Sequence, residues 1–93
     1  MNVIQTNNFK KSVKKLRANQ KAELDKAVQE IIKDPSIGQS KAGDLSNVRV
    51  HKFKMVKQLT LLAYSYEDQT ITLTLLALGS HENFYRDLKK SSS

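Results

Sequence analysis

Lys52 and Lys54 stand two positions apart in Val48 to Met55, a stretch of alternating character, so both ammonium groups leave the same side of one strand. A later apolar run, Thr70 to Leu78, leads through Gly79-Ser80 to His81 and, four residues on, Tyr85. Cations, an imidazole and a phenol gathered at one end of a sheet are the parts needed to cleave RNA through its own 2′-hydroxyl. That reaction takes a base, an acid for the departing oxygen, and positive charge against the phosphate. Histidine serves as acid or base near neutral pH, and tyrosine stacks on a nucleobase or donates a hydrogen bond. Plainer readings stand beside these: Lys52 and Lys54 as a solvated sheet face, His81 as part of a helix's first turn, Phe84 and Tyr85 as helix-packing residues. His51, inside the strand, ranks behind His81.

Other chemistries lack their parts. No glycine-rich phosphate loop is present, no serine sits in a nucleophile-elbow pattern, and the two histidines, His51 and His81, show no ligand spacing, so neither metal nor cofactor is expected. The absence of Cys removes disulfides and thiol nucleophiles and suits the cytoplasm. Residues 1–5 do not read as a signal peptide, and the most apolar stretch, Ile71 to Leu78, is far short of a membrane span.

The elements that must position these residues follow from periodicity. A chain of 93 residues, 39% hydrophobic and 27% charged, makes one small domain, and 16 Lys and Arg against 9 Asp and Glu leave a charge of +7 suited to a polyanionic partner. Residues 2–6, with Val3 and Ile4, read as a brief first strand or an arm. From Asn8 the spacing of Phe9, Val13 and Leu16 predicts a helix whose other side carries Lys10, Lys11, Lys14, Lys15 and Arg17, a solvated face or a general polyanion contact. A second helix is predicted from an N-cap at Asn19 to about Lys33, ended by the turn Asp34-Pro35-Ser36-Ile37-Gly38. Gly38 to Asn47 reads as a polar loop. Three strands follow, Val48 to Met55, Leu59 to Tyr66 and Thr70 to Leu78, the last two joined by Glu67-Asp68-Gln69. In the last, Ile71, Leu73, Leu75 and Ala77 are predicted on one face, with Thr70, Thr72 and Thr74 on the other. Ser80 caps a short final helix carrying Phe84, Tyr85 and Leu88, and residues 89–93 read as a frayed tail. The class is α+β: an N-terminal strand and a helical hairpin packed on an antiparallel meander, with a short C-terminal helix.

That order of elements, with Ile32-Lys33-Asp34-Pro35-Ser36-Ile37-Gly38, Gly43-Asp44-Leu45 leading into Val48-Arg49-Val50, Leu62-Ala63-Tyr64 and Leu78-Gly79-Ser80-His81, resembles the RelE/ParE superfamily of toxins from bacterial type II toxin–antitoxin systems. The resemblance spans almost the whole chain. It implies a RelE-like fold and, from the RelE-like branch, a metal-independent endoribonuclease, an mRNA interferase that enters the ribosomal A site, inhibits translation and is neutralised by a cognate antitoxin. The family's paired lysines fall on Lys52 and Lys54, its C-terminal tyrosine on Tyr85 with Phe84 as the alternative stacking residue, and its proton-transfer position on His81. Where RelE-like toxins carry an arginine before the Leu-x-Tyr piece, this chain has Leu61; Arg49, Lys57 or Arg86 are the cations that would compensate. The ParE-like branch, which inhibits DNA gyrase without that catalytic set, is the alternative.

Overall fold

Two amphipathic helices and several short apolar strands can be buried together only by laying the helices on one face of a sheet. The structure is a computed structural model that describes residues 1–40 and 47–80. Its elements run β1 (Asn2–Gln5), α1 (Asn7–Lys14), α2 (Ala18–Lys33), β2 (Gln39–Ser40), β3 (Arg49–Met55), β4 (Gln58–Glu67) and β5 (Thr72–Gly79). The five strands form one sheet in the order β1-β5-β4-β3-β2. The β3-β4-β5 meander is antiparallel, and β1 lies parallel to β5, with Val3 opposite Leu73 and Gln5 opposite Leu75. The predicted class is therefore the observed one, with the brief first strand as a paired edge. The expected C-terminal helix lies outside the described residues.

The helix-side core joins Phe9, Leu24 and Ile31 to Met55, Leu62, Tyr64, Leu73, Leu75 and Leu78. Each fully buried large apolar side chain contributes roughly 1.5–3 kcal/mol relative to exposure. A second cluster, Val48, Val50, Leu61, Ala63 and Ala77, lies on the opposite face. Both faces of the sheet's centre are thus apolar, which is why β4 reads as a nearly continuous hydrophobic run and not as a clean alternation.

Five details depart from expectation, each for a local reason. The first helix begins one residue early because the Thr6 hydroxyl accepts from the Phe9 amide at 3.1 Å, and the same hydroxyl donates to the Leu76 carbonyl of β5 at 2.8 Å. The second begins at Ala18 with Arg17 as its cap, not Asn19, since the Gln20 side-chain oxygen accepts the Arg17 amide at 2.8 Å. The predicted loop after Gly38 contains the two-residue strand β2, paired with Arg49 and Val50. In the last strand, the register shifts between Ala63 and Tyr64 pair Tyr64 with Leu75 but Ala63 with Ala77, leaving Leu76 as the extra residue. This bulge sends Ala77 to the face opposite Leu73 and Leu75. Ile71 leaves the strand altogether: at φ 51° it belongs to the turn, and its side chain is 53% exposed.

The β3–β4 hairpin turns through Val56 and Lys57, both in the left-handed region at φ 51° and 70°. Two consecutive positive φ angles define the turn type that favours Asn-Gly, and a β-branched residue there is strained by about 1–3 kcal/mol. Val56 is 45% exposed and returns little burial for that cost. Val56→Asn is expected to stabilise the fold by about 1 kcal/mol, raising Tm by roughly 4–8 °C in a thermal melt. An unchanged or lower Tm would show that the Val56 side chain contributes more than its exposure indicates.

Candidate functional site

Strand alternation sorts the polar residues of β3 cleanly. Arg49, His51, Phe53 and Met55 point toward the helices, and Val50, Lys52 and Lys54 point away. Lys52 and Lys54 are both exposed. Lys52 pairs with Leu61, and Leu61 pairs with Gly79, so one cross-strand row runs Lys52–Leu61–Gly79; Lys54 lies opposite Leu59 in the next row toward the hairpin. Adjacent strands are about 4.8 Å apart, which puts the Gly79 backbone roughly 10 Å from that of Lys52. His81 follows Gly79 by two residues in the sequence. The side chains of His81, Phe84, Tyr85 and Arg86 lie outside the described residues.

The other cationic candidates separate from this row. Lys57 is exposed in the hairpin turn beyond Lys54. Arg49 faces the helices, where its Nη1 donates to the Gly38 carbonyl at 2.9 Å and to the Ser36 carbonyl at 3.4 Å. Its guanidinium is thereby committed to the turn after α2, on the opposite side of the sheet from Lys52 and Lys54. His51 also faces inward, stacked on Phe53 with ring centroids 5.9 Å apart and with Nε2 3.4 Å from the Glu30 carboxylate of α2. That Nε2 is buried without a hydrogen bond, so the Glu30 contact is a close approach and not a formed bond. Leu61 is 0% exposed, packed with Val48, Val50, Ala63 and Ala77. The position where the resembled nucleases carry an arginine is an apolar core position here.

Sequence spacing alone gave no hint of the contact that fixes the turn after α2. The Tyr64 hydroxyl donates to the Pro35 carbonyl at 2.7 Å and accepts from the Gly38 amide at 2.8 Å. Burial raises the pKa of this phenol, against a smaller lowering by the Gly38 amide. The turn is tightened from within by Asp34, whose carboxylate accepts from the Ser36 hydroxyl at 2.6 Å and amide at 3.1 Å, and these two bonds lower its pKa. The strings Asp34-Pro35-Ser36-Ile37-Gly38 and Leu62-Ala63-Tyr64, which carried the resemblance separately, are thus one physical unit. It anchors β2 and the N-terminal end of β3 beneath α2.

A groove of about 730 Å³ lies at the other end of the sheet, between the turn after α2 and the β4–β5 turn, lined by Asp34, Ser36, Arg49, Ser65, Glu67 and Asp68 among others. Three carboxylates make it a poor seat for a phosphate, so this groove and the exposed lysine pair do not coincide. Among the described residues no three His, Cys, Asp or Glu side chains stand together as a metal site would require.

The architecture as a whole matches that of solved RelE toxins. A doubly substituted RelE toxin from E. coli in the free state matches with a TM-score of 0.74 at 16% identity, over 98% of this chain and 92% of that one. A chain of the intact E. coli RelBE toxin–antitoxin complex matches with a TM-score of 0.70 at 20% identity, over 87% of this chain and 96% of that one. A conserved hypothetical protein from Helicobacter pylori matches more loosely, with a TM-score of 0.55 at 20% identity, over 87% and 94% of the two chains. At these identities the likeness is one of fold. Sequence comparison with curated proteins gives no match. Residues 3–89 match the ParE-like toxin family of type II bacterial toxin–antitoxin systems, and the chain belongs to that family. No described helix is long and apolar enough to cross a membrane.

Proposed function

We propose that this toxin cuts messenger RNA on the ribosome by metal-independent attack of a 2′-hydroxyl. The observation that carries the reading is the exposed pair Lys52 and Lys54 on the sheet face turned away from α1 and α2, with Lys52 in one cross-strand row with the residue two before His81. In this scheme the O2′ loses its proton and attacks the adjacent phosphorus, and the O5′ leaves and is protonated. The products are a 2′,3′-cyclic phosphate and a free 5′-hydroxyl. His81 moves one of those protons; Lys52 and Lys54 balance the charge growing on the non-bridging oxygens; Tyr85, or Phe84 beside it, holds a base by stacking. Lys57 and Arg86 are the cations left to extend the phosphate contacts, because Arg49 is engaged on the other face. The inhibitor is a cognate antitoxin, as in the RelBE complex to which the chain is similar.

Primer extension on messenger RNA from translating ribosomes tests this. Discrete A-site stops are expected with the wild-type protein, and Lys52→Ala or Lys54→Ala is expected to weaken them by about 10²–10³-fold, the usual effect of losing one preorganised charge-stabilising group. Stops that persist at full strength in both variants would remove the lysines from the chemistry. The buried Leu61 at the arginine position of the resembled nucleases, together with the ParE-like match, favours a second reading, inhibition of DNA gyrase. A toxic protein that gives no stops but blocks supercoiling by purified gyrase would establish that one instead.

A further inference from the structure

The helical corner opposite the lysine pair carries a second, denser concentration of charge. Between residues 10 and 21 the chain has six cations, Lys10, Lys11, Lys14, Lys15, Arg17 and Lys21, and no Asp or Glu. All six are exposed. Among the described residues the one ion pair of Lys or Arg is Lys26 with Glu23, so none of the six is neutralised by a described carboxylate. At 100° per residue the four lysines of α1 and its cap fall within an arc of about 140°, and Phe9 and Val13, which pack into the core, lie on the other side. The pairs Lys10–Lys14 and Lys11–Lys15 are each separated by about 6 Å along the helix axis, so they form two short parallel rows. Packing such like charges together costs stability by mutual repulsion, and no first-turn acid of α2 offsets it.

We propose that this corner is a sequence-independent docking surface for the phosphate backbone of structured RNA, distinct from the substrate face. The proposal rests on the ribosome reading given above and names the contact that would hold the protein there. Dense, evenly spaced charge with no acidic interruption is what counterion release from a nucleic-acid backbone rewards. A membrane surface fits less well: none of the exposed large hydrophobic side chains, Met1, Val3, Ile4, Ile37, Val56, Leu59 and Ile71, belongs to α1 or α2, so the corner has no apolar wedge to insert. An acidic polypeptide would likewise find no exposed large apolar side chain on α1 or α2 to anchor it. Because the corner and Lys52 lie on opposite faces of the sheet, the domain would sit between two strands of RNA, held on one side and reacting on the other.

The test uses the full chain with Lys10, Lys11, Lys14 and Lys15 all changed to Gln, and Lys26→Gln/Lys33→Gln as a control elsewhere on α2. Binding to purified ribosomes and to a short RNA duplex of arbitrary sequence is followed across a salt series. Loss of four phosphate contacts is expected to make the slope of log affinity against log salt shallower by about 3 and to lower affinity at moderate salt at least about tenfold, with the control unchanged. On translating ribosomes the fourfold variant is expected to need more ribosomes for half-maximal cutting at unaltered maximal rate. An unchanged slope overturns the proposal, as does binding to anionic vesicles or polyglutamate as tight as to duplex RNA. Because RNA binding is read without cleavage, the absence of cutting would remove the nuclease reading while leaving this surface in place.

Discussion

His81→Gln is expected to reduce A-site cutting by roughly 10²–10⁴-fold, the range by which a positioned acid or base accelerates proton transfer. Glutamine keeps the bulk and a hydrogen-bonding head but cannot move a proton near neutral pH. The fold should therefore survive, and Tm by circular dichroism should change little. Growth arrest on expression should disappear together with the primer-extension stops. Loss of both, with the melt intact, ties toxicity to chemistry at His81. A variant that remains toxic at full strength would sink the nuclease reading and leave gyrase as the target to assay.

The second large effect concerns stability. A Cβ added at Gly38 would stand 2.5 Å from the Tyr64 hydroxyl oxygen and under 3 Å from two ring carbons. Those ring atoms are fixed, because Tyr64 is fully buried and its hydroxyl is bonded to Pro35 and Gly38. Gly38→Ala therefore either displaces the tyrosine or opens the turn, and should cost about 2–4 kcal/mol through overpacking and lost hydrogen bonds. A fall in Tm of about 10 °C or more follows for a domain of this size. Tyr64→Phe, which leaves the Pro35 carbonyl and the Gly38 amide without their partner, should cost a similar amount. Because both substitutions break the same unit, the double variant should be less destabilised than the sum by about 1 kcal/mol or more in a urea-denaturation cycle. Strict additivity would mean that the tyrosine and the turn act independently.

How far the sequence could be read depended on how local the cause was. The spacing of Phe9, Val13 and Leu16 shows the first helix because helical periodicity is a property of neighbours, and Lys52 and Lys54 fall on one face for the same reason. The cap at Arg17 escaped because a glutamine inside the helix supplies the acceptor, which the N-cap preference does not encode. The face of Ala77 escaped because a bulge is set by two strands in register and not by either alone. β2 is two residues long and carries no pattern of its own; it exists because Arg49 and Tyr64 hold the turn before it against β3 and β4. The site was legible to the same degree. Its lysines followed from alternation, whereas the divorce of Arg49 from them, and the burial of Leu61 between Lys52 and Gly79, required the sheet.

The placement of β5 between β1 and β4 has a consequence for how the protein is made. β1 has its partner some 70 residues downstream, so the sheet cannot close until β5 has been translated. At roughly 5–20 residues per second this leaves β1 unpaired for several seconds, and its pairing with β5 is the most distant strand pairing among the described residues. A message broken anywhere upstream of β5 yields a chain whose first strand and β3–β4 hairpin have nothing to join them. A nuclease of messenger RNA built on this topology would yield no folded copies from transcripts cut upstream of β5, so its activity would limit its own supply.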